Sequence, residues 1–580
     1  MAGKVLELHG TNAPDVRAKA IAHMWDQWYS DKQKWMDEHN ELRNYLFATD
    51  TTTTSNQTLP WKNTTTTPKL TQIRDNLFSN YISALFPNDD WLRWEAYTPN
   101  DNTKQKKQAI ENYIANKTRR AGFLETMKQL TYDYIDYGVA FSTTDYVTKT
   151  KLDKVTGTTE VIYSGPVVRR IHPFDIVINI TAPTFEESPA IVRSIMSIGE
   201  LEASIQDSAN PEEMRAALEK AKSLRKNLGS ISREDSRKYQ GYTLDGFGNY
   251  LDYLGSGQIE VLTFMGDYYN PDTSTLERNK KIQVIDRSFI FKEEIQPDWI
   301  GRNIFYVGWR NRTDNLWAQG PLDNLVGMQY RIDHLENLKA DALDLTVFPP
   351  IKIKGNVDEF NWGPMEEIHM DENGDVATMP PDASALNMNI EIQTIMDRME
   401  LLAGAPREAM GMRSPGEKTA FEVQQLMTAA GRIFQEKVNN FEICLLEPTL
   451  NSMLEQARRN LNTTDVVRAM NDDLGTVTFL EITKNDIIGD GILRPIGARH
   501  FSEQSKLLQD MSAVLNGPMG IKLLPHLSGE NLARLIEDTM GLERYGLFRP
   551  NVGVMEDAKT QKLANAAVQA NTQQAMIPEE

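Results

Sequence analysis

The sequence predicts an α+β fold, and three observations point to it. Period-two apolar runs crowd residues 137–310, long stretches with helical spacing lie on either side, and one charge-dense insert at 349–384 separates two helical stretches.

Residues 15–47 carry a helical pattern rich in aromatics, with Trp25, Trp28, Tyr29, Trp35, Leu42, Tyr45 and Leu46. Two threonine runs follow, Thr51–Thr54 and Thr64–Thr67, flanking LPWKN. They predict an extended loop, since clustered threonines favour neither a helix nor a packed face. KLTQIRDNLFSNYISALFP makes an amphipathic helix stopped at Pro87, and helix continues over about 105–137. The strand candidates are YGVAFSTTDYV, GPVVRRIHPFDIVIN, GQIEVLTFMGDYY, KKIQVIDRSFIF and NIFYVGWR. Among them, Asn210 caps and Pro211 opens a charged helix reaching about Leu228.

The character changes at Gly320-Pro321. A helix is predicted from Pro321 to Phe348 on Leu322, Leu325, Ile332, Leu335, Leu338, Ala342 and Leu345, ended by Pro349-Pro350. The insert then reads as a strand, PPIKIKG, an acidic segment, and a hairpin turn at Asn373-Gly374. A second helix runs to Gly404. Its apolar residues Met388, Ile392, Ile395, Met399 and Leu402 are spaced 4, 3, 4 and 3 apart, which marks either a seam for another helix or an ordinary core face. A third helix, Thr419 to Asn460, shows an apolar face through Val423, Met427, Ala430, Phe434, Val438, Phe441 and Leu445. Pro448 removes a backbone donor and clashes with the carbonyl of Cys444, so a kink is expected there. GTVTFLEI reads as a strand, and a mostly helical region follows from about residue 500. There is no internal repeat.

The 580 residues carry a net charge of −19 and a single cysteine, Cys444. One thiol excludes an internal disulfide framework and a cysteine-based metal site. The first twenty residues lack an apolar core of signal-peptide length, and no run approaches ~18 uninterrupted apolar residues, so the expectation is a soluble intracellular chain without a membrane partner. Between Asn356 and Glu400 eleven acids face one base, Arg398. Glu366, Glu367, Asp371 and Asp375 lie in this segment. Such a surface does not hold nucleic acid by neutralising phosphate, though it can enclose a duplex that must slide.

The stretch GMRSPGEKTAFE, Gly411 to Glu422, comes close to a P-loop. Glu417, however, intervenes between Gly416 and Lys418-Thr419. One extra residue rotates the lysine by about 100° on a first helical turn and sets a carboxylate beside the phosphate. The residues before it also read as helix rather than strand. What survives is a Gly/Pro-broken loop bearing Arg407, Arg413 and Lys418 between two helices. The eight histidines form no HExxH pair, and His172, before Pro173, reads as a turn or core histidine. Gly489-Asp490-Gly491 reads as a turn, and DENGD has too few ligands for a calcium loop. No catalytic residue, cofactor or metal is expected.

The order helix, acidic β-containing insert, helix, broken loop and kinked long helix resembles a bacteriophage portal protein, the head-to-tail connector of short-tailed phages. The residues carrying the resemblance are GPLDNLVGMQYRIDHLENLKAD and MELLAGAPREAMGMRSPGEKTAFEVQQLMTAAGRIFQEKVNNFEICLLEPTLNSML, with LFSNYISALFPNDDWLRWE and VVRRIHPFDIVIN in support. The resemblance covers residues 20–510. It implies a wing over 1–320, stem helices at 321–348 and 385–403 around a clip at 349–384, a tunnel loop at 404–418, a long kinked helix with a return strand of the wing over 419–499, and a helical crown at 500–580. It further implies a homo-oligomeric ring of 12 copies at a capsid vertex of the virion, assembled in the host cytoplasm. Double-stranded DNA would pass through it weakly bound. The implied partners are the terminase large subunit, tail adaptors, and the major capsid and scaffolding proteins; the family is not itself an enzyme. A cytoplasmic scaffold without a channel, or a nucleotide-driven motor using Gly411–Thr419, are the alternatives.

Overall fold

The computed structural model describes residues 5–7, 14–86, 91–101, 103–152, 159–180, 182–206, 211–226, 255, 257–270, 274–297, 303–355, 368–369, 373–379, 388–403, 433–461, 464–470 and 477–495. In chain order the elements are β1 (Val5–Glu7), α1 (Pro14–Leu46), α2 (Lys69–Leu85), β2 (Leu92–Ala96), α3 (Lys104–Ala121), α4 (Phe123–Asp136), β3 (Val139–Leu152), β4 (Thr159–Ile171), β5 (Ile176–Ile178), β6 (Ala190–Ser197), α5 (Ile198–Gln206), α6 (Pro211–Lys226), β7 (Gln258–Asn270), β8 (Thr275–Ile285), β9 (Phe289–Ile295), β10 (Ile304–Gly308), α7 (Val326–Val347), β11 (Ile351–Lys354), β12 (Asp375–Thr378), α8 (Asn389–Leu402), α9 (Glu447–Asn460), β13 (Asp465–Met470), β14 (Val477–Ile482), α10 (Lys484–Ile487) and β15 (Gly491–Pro495). Helix and strand are mixed, as α+β requires. The chain forms two compact units, each discontinuous in sequence: 1–85 with 118–457, and 86–117 with 458–580.

The first unit is built on a sheet ordered β5-β6-β7-β8-β9, with β1 pairing parallel to β7. Strand side chains alternate faces, and β7 is buried on both. Leu262 and Phe264 meet Ala18, Ile21, Trp25 and Trp28 of α1, while Ile259 and Val261 meet Leu201 of α5 and Met214 and Leu218 of α6. A three-stranded sheet, β10-β3-β4, encloses a further core with Phe141, Ile171, Ile176, Ile304 and Trp317. The run KKIQVIDRSFIF folds as two strands rather than one. Asp286 and Arg287 both take positive φ (48° and 56°), a strained conformation for residues with a Cβ. Buried ion pairs hold them, Arg225 to Asp286 at 2.8 Å and Arg287 to Glu260 at 2.7 Å, and Arg287 also reaches the half-exposed Asp26 at 2.8 Å.

Gly138, at φ 68°, shows why the chain turns where it does. A Cβ there would lie 2.3 Å from the backbone nitrogen of Gly320, so the start of β3 and the entry to α7 approach backbone to backbone. Downstream, residues 433–441 are helical and Glu442–Leu446 widen into a π turn, with the Glu447 N–H bonded to the Glu442 carbonyl. The irregularity expected at Pro448 takes this form: α9 continues through the proline because the widened turn precedes it.

In the second unit β2 pairs with β15 and β13 with β14, both antiparallel. Trp94 is fully buried under the Arg458 guanidinium, 5.4 Å from its ring centre. Lys117 pairs with Asp465, and Lys106 with Asp101. The GDG stretch is a turn into β15, with the Asp490 N–H donating to Asp101 at 2.9 Å.

Candidate assembly and channel region

The two helices expected on either side of the acidic insert are present and packed on each other. The first begins later than expected: Asp323–Leu325 form a 3-10 turn, and α7 starts at Val326. Its N-terminal half is embedded, with Ile332 and Leu335 buried and Leu325 of the preceding turn buried as well. Leu338, Leu343, Leu345, Val347 and Phe348, on the C-terminal half, are exposed, Phe348 to 70%.

On α8 the predicted seam is partly realised. Ile392, Ile395 and Met399 are buried and Met388 is half-buried. Leu402 departs from the expectation, being 52% exposed, whereas Ala403 is buried. Helix geometry is the reason: at about 100° per residue Leu402 lies about 80° from Ile392 and Ala403 only about 20°. The buried face therefore continues through Ala403 and Glu400, whose carboxylate pairs with Lys69 of α2. Ile390 and Leu401 are exposed as well, Ile390 to 78%.

Between the helices, β11 and β12 form an antiparallel ribbon that sets Lys354 opposite Asp375. Asn373-Gly374 leads into β12, which pairs with β11; residues 370–372, on the other side of the expected hairpin turn, lie outside the described residues. Asp375 is exposed, while Glu366, Glu367 and Asp371 lie outside the described residues. Arg407, Arg413 and Lys418 of the loop, the whole Gly411–Thr419 stretch, residues 419–432 and the crown also lie outside them. The element preceding the loop is helix, as read from sequence, and not the strand a P-loop follows.

Sequence reasoning missed the role of the threonine-rich segment. It is packed rather than loose: Thr51–Thr53 and Ser55–Thr58 form 3-10 turns, and Thr51, Thr54 and Asn56 are buried. Residues 62–67 lie along α7 and bond to Asp333, Asn337 and Asp341. The available signal was the spacing of four between Gln329, Asp333, Asn337 and Asp341, a polar stripe on a helix otherwise read for its apolar face.

Sequence reasoning also missed a charged cleft of about 340 Å³ in the first unit, lined by α1, α2, α4 and the end of β4. Arg74 bridges Asp136 through two bonds of 2.7 Å and stacks on Tyr132, 4.1 Å from its ring centre. Arg170 grips Asp133 in the same two-pronged way, with Nη2 at 2.6 Å. Burial pushes Asp133 up to about 7 against the pull of Arg170, and raises Asp136 against Arg74. His172 accepts the Phe174 N–H at 3.0 Å through Nδ1, the turn role expected of it, and burial aided by Arg170 lowers it to about 4. The carboxylates here are matched to guanidinium groups, the arrangement of a structural ion network more than of a nucleophile beside its base.

Among the described residues no three His, Cys, Asp or Glu side chains are grouped to hold a metal, and no helix is long and apolar enough to cross a membrane. No family model and no curated protein matches the chain.

Proposed function

We propose that the chain is a portal subunit of a short-tailed phage, which forms a closed ring of 12 copies at one capsid vertex. DNA enters and leaves through that ring. The carrying observation is the apolar surface of the stem: Leu343, Leu345, Val347 and Phe348 on α7, with Ile390 and Leu401 on α8, are exposed on a helix pair whose inner face is already filled. So many large apolar side chains exposed on one helix pair call for partners, and in a ring the neighbouring copies on either side supply them.

The charge distribution supports the same reading. The acids of the insert disfavour phosphate retention near the exit, and Arg407, Arg413 and Lys418 are nearly balanced by Glu408 and Glu417, giving a loop that touches DNA weakly. On this reading the ring carries no catalytic site; the terminase large subunit docks during packaging and tail adaptors afterwards, with major capsid and scaffolding proteins around the rim. The protein then resides in the virion after assembly in the host cytoplasm. Negative-stain images of the purified chain test the proposal. Closed rings of uniform symmetry are expected, and open or irregular particles would favour the scaffold alternative. ATP turnover by the isolated protein would favour the motor.

A further inference from the structure

Residues 62–67 run antiparallel to α7 and are bound to it chiefly through hydrogen bonds. The Thr67 N–H donates to Asp333 at 3.1 Å, and the Thr67 carbonyl accepts from Gln329 at 2.6 Å. Asn337 takes the Thr65 N–H at 2.9 Å and returns a bond to the Thr65 carbonyl at 2.8 Å. Asp341 accepts from the Lys62 and Asn63 N–H groups, each at 3.1 Å. The side chains at every fourth helical position thus serve as the edge of a strand. Four helical residues rise about 6 Å and two extended residues about 6.7 Å. A mismatch below about 1 Å per step is tolerable over the two steps from Thr67 through Thr65 to Asn63.

We infer that residues 62–67 are a latch: a segment that opens and closes on the stem helix as a unit separate from the core, and whose closure helps fix the stem pair. It is anchored at both ends, by the buried 3-10 turns at Thr51–Thr58 and by buried Lys69 and Leu70 at the start of α2. Within 62–67 every side chain is exposed or only half-buried, and the groups beneath it, Gln329, Asp333 and Asn337, are polar. Opening that leaves Trp61 seated on His334 therefore breaks the Thr51 N–H bond to the Thr64 carbonyl, uncovers little apolar surface and hands polar groups to water. The two anchors keep the open segment near its seat, so the entropic cost of reclosure is small. Lys69, adjacent to the latch, holds Glu400 of α8, so the segment and its neighbour engage both stem helices. The role of the latch in a channel rests on the proposed ring; the latch itself does not.

Hydrogen exchange read by mass spectrometry on the full chain tests it, comparing peptides over residues 59–68 with those over 73–85 in α2. In the wild type the amides at 62–67 are expected to exchange faster than those of α2. Asn337→Leu should speed them by about tenfold, the factor corresponding to about 1.4 kcal/mol, while leaving α2 unchanged. Thr66→Val, a milder change that removes only the hydroxyl bonds to Asp333, should act in the same direction by a smaller factor. Exchange of 62–67 in step with α2, in the wild type or in Thr66→Val, would overturn the latch. Faster exchange in a protein that forms no closed rings would keep the latch and remove its channel role, and closed rings with co-exchanging segments would do the reverse.

Discussion

Lys69 and Glu400 stand 331 positions apart and form an ion pair buried at both ends, joining the first turn of α2 to the last turn of α8. Two charges withdrawn from water are held together by each other, so removing one strands its partner. Glu400→Met or Lys69→Met should each cost about 3–5 kcal/mol, whereas the two replacements combined should cost much less than their sum. Denaturant unfolding of the four proteins measures this coupling. Additive losses would mean the pair is not what anchors α8.

The contrast between the inner and outer faces of α8 separates folding from assembly. Ile395→Asp places a carboxylate in a buried contact and should lower the melting temperature of the chain itself. Leu402→Asp, on the exposed side, should leave melting within about 0.5 kcal/mol of wild type and weaken ring formation on the proposed assembly. Sedimentation alongside thermal melting reads both quantities. Rings of unchanged stability in Leu402→Asp would move the subunit contact off this face of the stem.

Asp133 and His172 line one cleft and tilt its pH response in opposite directions. The native pKa of Asp133 is raised to about 7, so its contribution is full below the unfolded carboxylate range and is lost as pH rises through 7. His172 is lowered to about 4, so its contribution is present above about 6.5, the unfolded value, and is lost as pH falls through 4. Unfolding free energy measured from pH 8 to pH 4 should therefore change slope in opposite senses in Asp133→Asn and His172→Gln. Parallel changes in the two variants would contradict the assignment.

Much of this architecture was legible because it is local. α1, α2 and the strands β3, β4, β5, β7 and β10 announce themselves through periodicity, and Pro211 and Pro349 mark helix ends that the chain respects, while β6 was not read and β8 and β9 were read as one run. The Asp286-Arg287 turn was not legible, since its left-handed backbone is held by Arg225 and Glu260, which are remote in sequence. Nor was the end of the buried face of α8, which runs through Glu400 to its pair with Lys69 and leaves Leu402 exposed. Threonines 64–67 escaped for a related reason: neither propensity nor apolar patterning announces a strand whose partner is the side of a helix. In each case the deciding contact is long-range and polar, and period counting registers neither.

The final prediction concerns the broken loop at 404–418. In a P-loop Lys418 serves a nucleotide; in a channel loop it serves a passing duplex and is one base among several. Lys418→Ala should then change stability by no more than about 0.5 kcal/mol and leave assembly intact. Deleting Arg413 to Gly416 should act more severely on function, because it shortens the connection between two helices and removes a base while sparing the α7–α8 packing. Normal or near-normal rings that package or retain DNA poorly are expected. Phage complementation, scored by DNase-protected genome in heads, reads the outcome. Full packaging by the deletion variant would rule out a role for the loop in the channel, whereas an ATP-dependent activity lost in Lys418→Ala alone would establish the motor in its place.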